Sequence, residues 1–307
     1  MQIILNPKAG RGVGAQVKNE LMAALTAAGV AFDLVETTHH GHAQELAAAL
    51  KEQGARIIVA AGGDGTVNEV INGLAQATPP GGVLGPLAFC PIGTGNDFSA
   101  MVGAQPGAAA LAQRIVAGRT RQIDVGRAVL TSPTREIVRY FGNNLGLGFE
   151  AHVTLESYRI RWFGGPLRYL MAVVQALRHY NAPDIDVKWG QALGAQTEWH
   201  CETLLVSVGN SRRTGGMFYL TPDAEMDDGQ LDLGLVPSVG RWGIMQILPR
   251  VLKGAHRDDP RILFDRFQRL ELRCASPLPV HVDGEVVMED VIAAQVELLP
   301  RRLEIVV

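Results

Sequence analysis

Five consecutive apolar residues, Ile57-Ile58-Val59-Ala60-Ala61, run straight into Gly62-Gly63-Asp64-Gly65-Thr66 and then into a segment, 67–77, that reads as a helix. A strand that is apolar at every position has no face for water, so it belongs in a parallel sheet covered on both sides. The same alternation recurs around it. Residues 2–5 and 32–35 predict short strands. Residues 13–28, with Val17, Leu21, Ala24, Leu25 and Ala28 on one face, and residues 42–53 predict helices closed by Gly29 and Gly54. A fourth strand is expected at 87–90, followed by a helix from Phe98. Strand and helix in alternation imply a doubly wound α/β sheet.

From about Ile123 the texture changes. Short runs at 138–141, 185–189, 204–208, 231–236, 269–273 and 279–282 are separated by Gly, Pro and Asp, and 167–179 is the main helical exception. This pattern predicts a mostly β second domain, a sandwich. The expected division is residues 1–122, an α/β domain with a parallel sheet, and 123–307, a β-sandwich domain; the final strand, 303–307, is assignable to either. At 307 residues, 47% hydrophobic and 19% charged, the chain is globular with a substantial core. A net charge of −3 gives no general attraction to nucleic acid, which is not expected as a partner. Cys90, Cys201 and Cys274 form no CxxC pair, so neither a disulfide framework nor a thiolate zinc site is expected. His39, His40 and His42 lack a matching carboxylate or cysteine pattern and read as a polar loop. There is no basic region followed by an apolar core at the start, and the uncharged stretch before Asp97 is broken by Pro79, Pro80, Pro86 and Pro91. The expected location is therefore cytoplasmic, with the inner membrane face as a peripheral meeting place.

In an open parallel sheet, ligands bind beyond the carboxyl ends of the strands, and three loops here lie at such ends. In Gly62-Gly63-Asp64-Gly65-Thr66-Val67-Asn68-Glu69, the glycines let main-chain amides approach a polyphosphate and the following helix favours anions. Asp64 among phosphates makes sense if Mg²⁺ lies between them. Thr66 and Glu69 also have the spacing of a capping box, which explains those two residues but neither Asp64 nor the glycine doublet. Asn6-Pro7-Lys8-Ala9-Gly10 offers an amide and a cation after the first strand, without the pattern of a P-loop. Pro91-Ile92-Gly93-Thr94-Gly95-Asn96-Asp97 is the third loop. In the later part, Glu225-Met226-Asp227-Asp228-Gly229-Gln230-Leu231-Asp232 packs hard oxygen ligands around a turn, suited to a cation or to plain solvation. Asp283-Gly284-Glu285 sits between apolar strand residues; in strand geometry both carboxylates share a face, whereas an Asp-Gly hairpin turn is the competing conformation.

Taken in order, Asn6-Pro7-x-x-Gly10, Gly62-Gly63-Asp64-Gly65-Thr66-x-Asn68-Glu69, Gly93-Thr94-x-Asn96-Asp97, the Asp227-Asp228-Gly229 turn and Asp283-Gly284-Glu285 resemble the diacylglycerol kinase catalytic family in its bacterial form, over nearly the whole chain. The resemblance implies an N-terminal nucleotide domain, a C-terminal β-sandwich and an active site in the cleft between them. It implies ATP contacts from Asn6, Pro7, Lys8, Ala9 and Gly10, from Thr37 (with Thr38 a close rival), from Gly63, Asp64, Gly65, Thr66, Val67, Asn68 and Glu69, and from Thr94. Asp64 would organise the nucleotide-bound Mg²⁺. Asp283 and Glu285 would supply the general base and a metal-linked carboxylate, in either order. A second Mg²⁺ would take Glu225, Asp228 and the carbonyl of Gln230.

The implied reaction is ATP-dependent phosphorylation of a lipid hydroxyl. Diacylglycerol, a sphingoid base, ceramide and an isoprenoid alcohol are open as acceptors. A soluble acceptor such as NAD, or a catalytically silent regulator, is the alternative. Arg159, Arg161, Trp162, Phe163, Arg168 and Tyr169, around Gly164-Gly165-Pro166, mix cations with aromatics as a membrane-touching loop does, or as a loop packed on its own domain. An exposed edge strand in the second domain leaves a homodimer open.

Overall fold

A computed structural model describes residues 1–93, 95–160 and 166–307. They fall into two compact units, 1–125 with 300–307, and 126–299.

In the first unit the parallel strands β1 (Gln2–Leu5), β2 (Asp33–Glu36), β3 (Ile58–Gly62) and β4 (Leu84–Pro91) alternate with α1 (Ala9–Ala27), α2 (His42–Glu52) and α3 (Asp64–Ala77), and α4 (Asp97–Met101) and α5 (Ala108–Ala117) follow. The sheet order is β4-β3-β1-β2, all parallel. Every residue of β3 is buried, as its uninterrupted apolar run requires. Ile3, Leu5, Val59, Ala61, Ala88 and Cys90 pack with Leu21 and Leu25 of α1 and Leu111 of α5 in one core. Each fully buried Leu or Ile contributes roughly 1.5–3 kcal/mol over an exposed one. Helix α2 packs on α3, and α1 on α5.

Two helices start earlier than their apolar periodicity indicates. α1 begins at Ala9, so Lys8 to Gly12 is the opening of a helix and not a loop; Gly10 and Gly12, at φ +59° and +95°, hide the helix from a propensity reading. α3 begins at Asp64, directly after Gly63.

The chain passes into the second unit along β5 (Thr120–Thr131), then β6 (Glu136–Phe141), β7 (Asn144–Gly148), α6 (Phe149–Arg159), α7 (Pro166–His179), β8 (Asp184–Gly190), β9 (Gln196–Gly209), β10 (Leu231–Pro237), α8 (Gly240–Val251), β11 (Leu263–Phe267), β12 (Arg269–Val282) and β13 (Glu285–Val306). The last residues of β13 return to the first unit, where Leu303 and Ile305 pair in parallel with β4. The two expected strands at 269–273 and 279–282 are one strand, β12. Its first half pairs with β8 and its last residues with β7. β9 divides in the same way, pairing with β8 near its start and with β7 and β10 near its end. Such partner switching closes a sandwich whose core includes Trp189, Val206, Val208, Leu233, Leu270 and Val280. Against its outside lie three helices, where the sequence predicts one. α6 is short, with polar and charged residues throughout, and α8 carries Pro249 internally, so neither shows a long apolar stripe. Together they bury Phe149, Val153, Val173, Leu205, Val236 and Ile247 in a second cluster.

Candidate active site

The loops after β1, β3 and β4 leave the carboxyl ends of three adjacent strands. β1 has β2 on one side and β3 on the other, so chain order reverses at β1/β3, the switch point where open α/β sheets bind ligands. A side-chain bond bridges that point: Asn6 Nδ2 donates to Thr66 Oγ1 at 3.1 Å. Asn6 Oδ1 meanwhile accepts from the amide of Lys8 at 3.0 Å.

The glycines bring main chain against main chain. A Cβ on Gly93 would lie 2.7 Å from Gly63 Cα, one on Gly10 would lie 2.4 Å from the Ile92 carbonyl oxygen, and one on Gly14 would lie 2.3 Å from that of Asn6. No side chain fits at these contacts, so the backbone itself forms the surface. Asp64 joins two of the loops, its Oδ1 accepting the Phe98 amide at 3.1 Å at the start of α4. Asn96, at φ +52°, donates from Nδ2 to the Gly93 carbonyl at 2.7 Å.

The capping box expected from Thr66 and Glu69 does not form. α3 has begun two residues before Thr66, and Glu69 instead caps α2: its Oε1 and Oε2 accept the amides of Gly41 and Ala43 at 2.9 and 3.0 Å. His40 approaches the same carboxylate at 3.1 Å. Val67 and Asn68 are buried, and Asn68 accepts from Asn72. These three residues shape the loops from behind. Asn6, Pro7, Lys8, Gly10, Gly63, Asp64 and Gly65 are at least partly exposed, Ala9 and Thr66 are buried, and Thr37 follows β2 with its amide donating to Leu5. The rival Thr38 is turned to His42, whose Nδ1 lies 3.0 Å from its amide nitrogen and 3.2 Å from its hydroxyl. Thr94 lies outside the described residues. Burial pushes the Cys90 thiol up to about 11, with no role as a nucleophile.

In the second unit, Asp283 and Gly284 are a turn and not a strand. Their φ values are +49° and +83°, and Val282 pairs with Glu285 across them. Two positive φ values in sequence are the signature of a tight type I′ hairpin, so the strand geometry that would align both carboxylates is absent. Asp283 is 8% exposed and accepts three amides, from Gly142, Asn143 and Asn144, at 3.1, 2.8 and 3.0 Å. Such a carboxylate organises a turn. Glu285, just beyond it, is partly exposed. Tyr158 braces this turn, its hydroxyl accepting the Val286 amide at 3.2 Å, and burial raises its phenol above the usual range.

The acidic turn is neutralised by arginines. Glu225 pairs with Arg212 at 3.2 Å, Asp228 and Asp232 each lie 3.5 Å from Arg266, and Asp223 pairs with Arg257 at 2.9 Å. Asp228 also accepts the Gln230 amide at 3.0 Å. The second Mg²⁺ that the resemblance implied at Glu225, Asp228 and Gln230 would have to take the place of Arg212 and Arg266 beside these carboxylates, with water completing its shell.

The sequence reading missed a cavity of about 110 Å³ in this unit. Its apolar wall includes Phe149, Val153, Val173, Leu205, Val236 and Ile247, from α6, α7, α8 and two strands, and Glu150, His256, His281 and Gly284 also border it. Burial lowers the His256 pKa, so this imidazole is neutral at pH 7. The legible hint lies beside the lining residues, in the Leu-Gly-Leu-Gly run before Phe149, where small residues in a strand mark close packing. The aromatic segment 161–165 lies outside the described residues. Arg159 pairs with Glu156, and Tyr169 packs on Phe218. Among the described residues, no helix is long and apolar enough to cross a membrane.

Comparison with known proteins accords with this geometry. The family model of the diacylglycerol kinase catalytic domain matches residues 1–128, and that of the YegS C-terminal NAD kinase beta sandwich-like domain matches 143–307. Diacylglycerol kinase of Mycobacterium tuberculosis is 28% identical over 307 residues, covering 98% of this chain and 93% of that protein; diacylglycerol kinase of Bacillus subtilis is 28% identical over 290 residues, covering 92% and 89%. A solved diacylglycerol kinase from Bacillus anthracis shares the fold at a TM-score of 0.72 and 24% identity, covering 99% of this chain and 95% of that one. The strand-end glycine cradle, the C-terminal sandwich and these matches over both units lead to one conclusion: the chain belongs to the diacylglycerol kinase catalytic family and is a lipid kinase, a phosphotransferase.

Proposed function

We propose that the protein transfers the γ-phosphoryl group of ATP to a hydroxyl of a lipid such as diacylglycerol or a sphingoid base, the first unit binding ATP and the second the lipid. The observation that carries this reading is the backbone-only surface at the switch point, where Gly63 and Gly93 approach so closely that no side chain fits. Amide groups and a helix N-terminus are what a polyphosphate needs. Asn6, Pro7, Lys8, Ala9, Gly10, Thr37, Gly63, Asp64, Gly65, Thr66 and Thr94 form the nucleotide side, with Val67, Asn68 and Glu69 behind them. Asp64 is the hard oxygen ligand in this cradle and fits a nucleotide-bound Mg²⁺, which when bound neutralises charge developing on the phosphates.

Glu285 accepts the proton of the acceptor hydroxyl while Asp283 holds the turn. The acceptor oxygen bonds to the γ-phosphorus, the bond from that phosphorus to the β,γ-bridging oxygen breaks, and ADP leaves. The apolar cavity of the second unit takes hydrocarbon. On α8, Trp242 is 84% and Met245 48% exposed, beside Arg241; this supports peripheral contact with a bilayer surface.

The test is turnover of labelled ATP against a panel of dispersed lipids and NAD, read by product mass. Phosphorylated lipid is expected from wild type, and loss of roughly 10³-fold or more in kcat from Asp64→Ala and from Glu285→Gln, both folded. Product on NAD alone, or wild-type rates in both variants, contradicts the reading.

A further inference from the structure

We propose that Glu150 is the residue that selects the acceptor, and that the preferred acceptor is a single-chain amphiphile whose head carries a second hydrogen-bond donor beside the hydroxyl to be phosphorylated. This rests on the lipid-kinase reading and deepens it.

The cavity is apolar around most of its wall, yet a carboxylate and an imidazole border it, 9% and 1% exposed. His281 Nε2 lies 2.9 Å from Glu150 Oε1, and Asn144 Nδ2 donates to the same oxygen at 2.8 Å. The other oxygen, Oε2, is buried and receives no hydrogen bond from the described residues. A buried carboxylate oxygen without a donor is costly, and nothing in the packing demands it. Room has been made for this pair. A Cβ on Gly146 would lie 2.4 Å from both Glu150 Oε2 and His281 Nε2, so only glycine there lets the two groups coexist. Two threonine hydroxyls that also border the cavity are committed elsewhere: Thr154 donates to the Glu150 carbonyl and Thr214 to Asn144 Oδ1.

The pair is tied to the turn before the proposed base. His281 Nδ1 accepts the Gly284 amide at 3.3 Å, and its Nε2, 2.9 Å from Glu150 Oε1, is buried without a hydrogen bond from the described residues, as Glu150 Oε2 is. Gly284 itself borders the cavity and immediately precedes Glu285. A head group bound at Glu150 is thereby set against the hairpin whose next residue receives the proton.

An ionised carboxylate only accepts hydrogen bonds. Diacylglycerol has one hydroxyl, the one to be phosphorylated; its remaining head oxygens are ester oxygens and would face Oε2 acceptor to acceptor. A long-chain 2-amino alcohol or a monoacylglycerol brings a second donor. The volume agrees. The cavity, about 110 Å³ within the described residues, has room for part of one hydrocarbon chain.

The experiment measures kcat/KM of the full chain with ATP for a long-chain 2-amino alcohol, a 1-monoacylglycerol and a 1,2-diacylglycerol in the same mixed micelles, in wild type and Glu150→Gln. Wild type is expected to favour at least one single-chain acceptor over diacylglycerol by roughly tenfold or more, and Glu150→Gln to shrink that ratio by a similar factor. The faster single-chain acceptor identifies the donor as ammonium or hydroxyl. A role of Glu150 in folding alone would slow all three acceptors alike. An unchanged ratio in the variant, or a wild-type ratio at or below one, overturns the proposal while leaving the kinase intact. Turnover of none of the lipids overturns the kinase reading along with it. If the variant does not fold, the wild-type ratio decides.

Discussion

The nucleotide loops of the first unit and the cavity of the second are built on opposite principles. At the strand ends, glycines strip away side chains and leave main-chain amides as the surface proposed for phosphate, and the residues concerned are clustered in three short stretches, 6–10, 62–69 and 91–97. The cavity is built from side chains drawn from α6, α7, α8 and strands between residues 149 and 284, no two neighbouring lining segments of which form a motif. Triphosphates present the same oxygens in every kinase, so a backbone surface suffices. Lipid acceptors differ in shape and donors, and only side chains can register that.

Substitutions can break this contrast. Gly93→Val would place branched carbon where even a Cβ lies 2.7 Å from Gly63 Cα. ATP affinity should fall by about 100-fold, read by calorimetry, with the KM for lipid little changed. Retained affinity would mean that the close backbone approach is not what binds phosphate. Val173→Phe, on α7, fills part of the cavity instead. It should raise the lipid KM by about tenfold with ATP binding intact, since overpacking acts locally. Equal effects on both substrates would erase the distinction between the two regions.

A smaller effect concerns how the second unit tolerates charge. Asp232 is 5% exposed, and burial raises its carboxyl to about 6 against the pull of Arg266. A folded-state pKa above the unfolded one favours folding most when the group is protonated. The contribution of Asp232 is therefore complete below pH ~4 and is lost as pH rises through about 6. Asp232→Asn should flatten the change in Tm between pH 4 and 7. It should stabilise at pH 7 by only about 1 kcal/mol, because Arg266 loses a partner. An unaltered pH profile would show that Asp232 is not the titrating group.

Much of the first unit was legible because strand, loop and helix follow one another within a few residues. The buried run 57–61, the helical face of Leu21 and Leu25, and the Gly62–Gly63 doublet all report local requirements. What misled was local as well: Thr66 and Glu69 have capping-box spacing, but α2 lies close enough to take the Glu69 carboxylate for its own start. In the second unit, Asp283-Gly284 read equally as strand or turn. Three amides from residues 142–144 accompany the turn, and they are about 140 residues away.

The sequence by itself determined the α/β start, the β-rich remainder and the glycine loops, because these follow from periodicities of two and 3.6 and from residues that tolerate close backbone approach. Only the tertiary structure decided which carboxylates bind amides, which are covered by Arg212, Arg257 and Arg266, and which, like Glu150, border an apolar cavity. A carboxylate looks the same in every sequence. Its role is set by the donors within about 3 Å, and distant segments supply those.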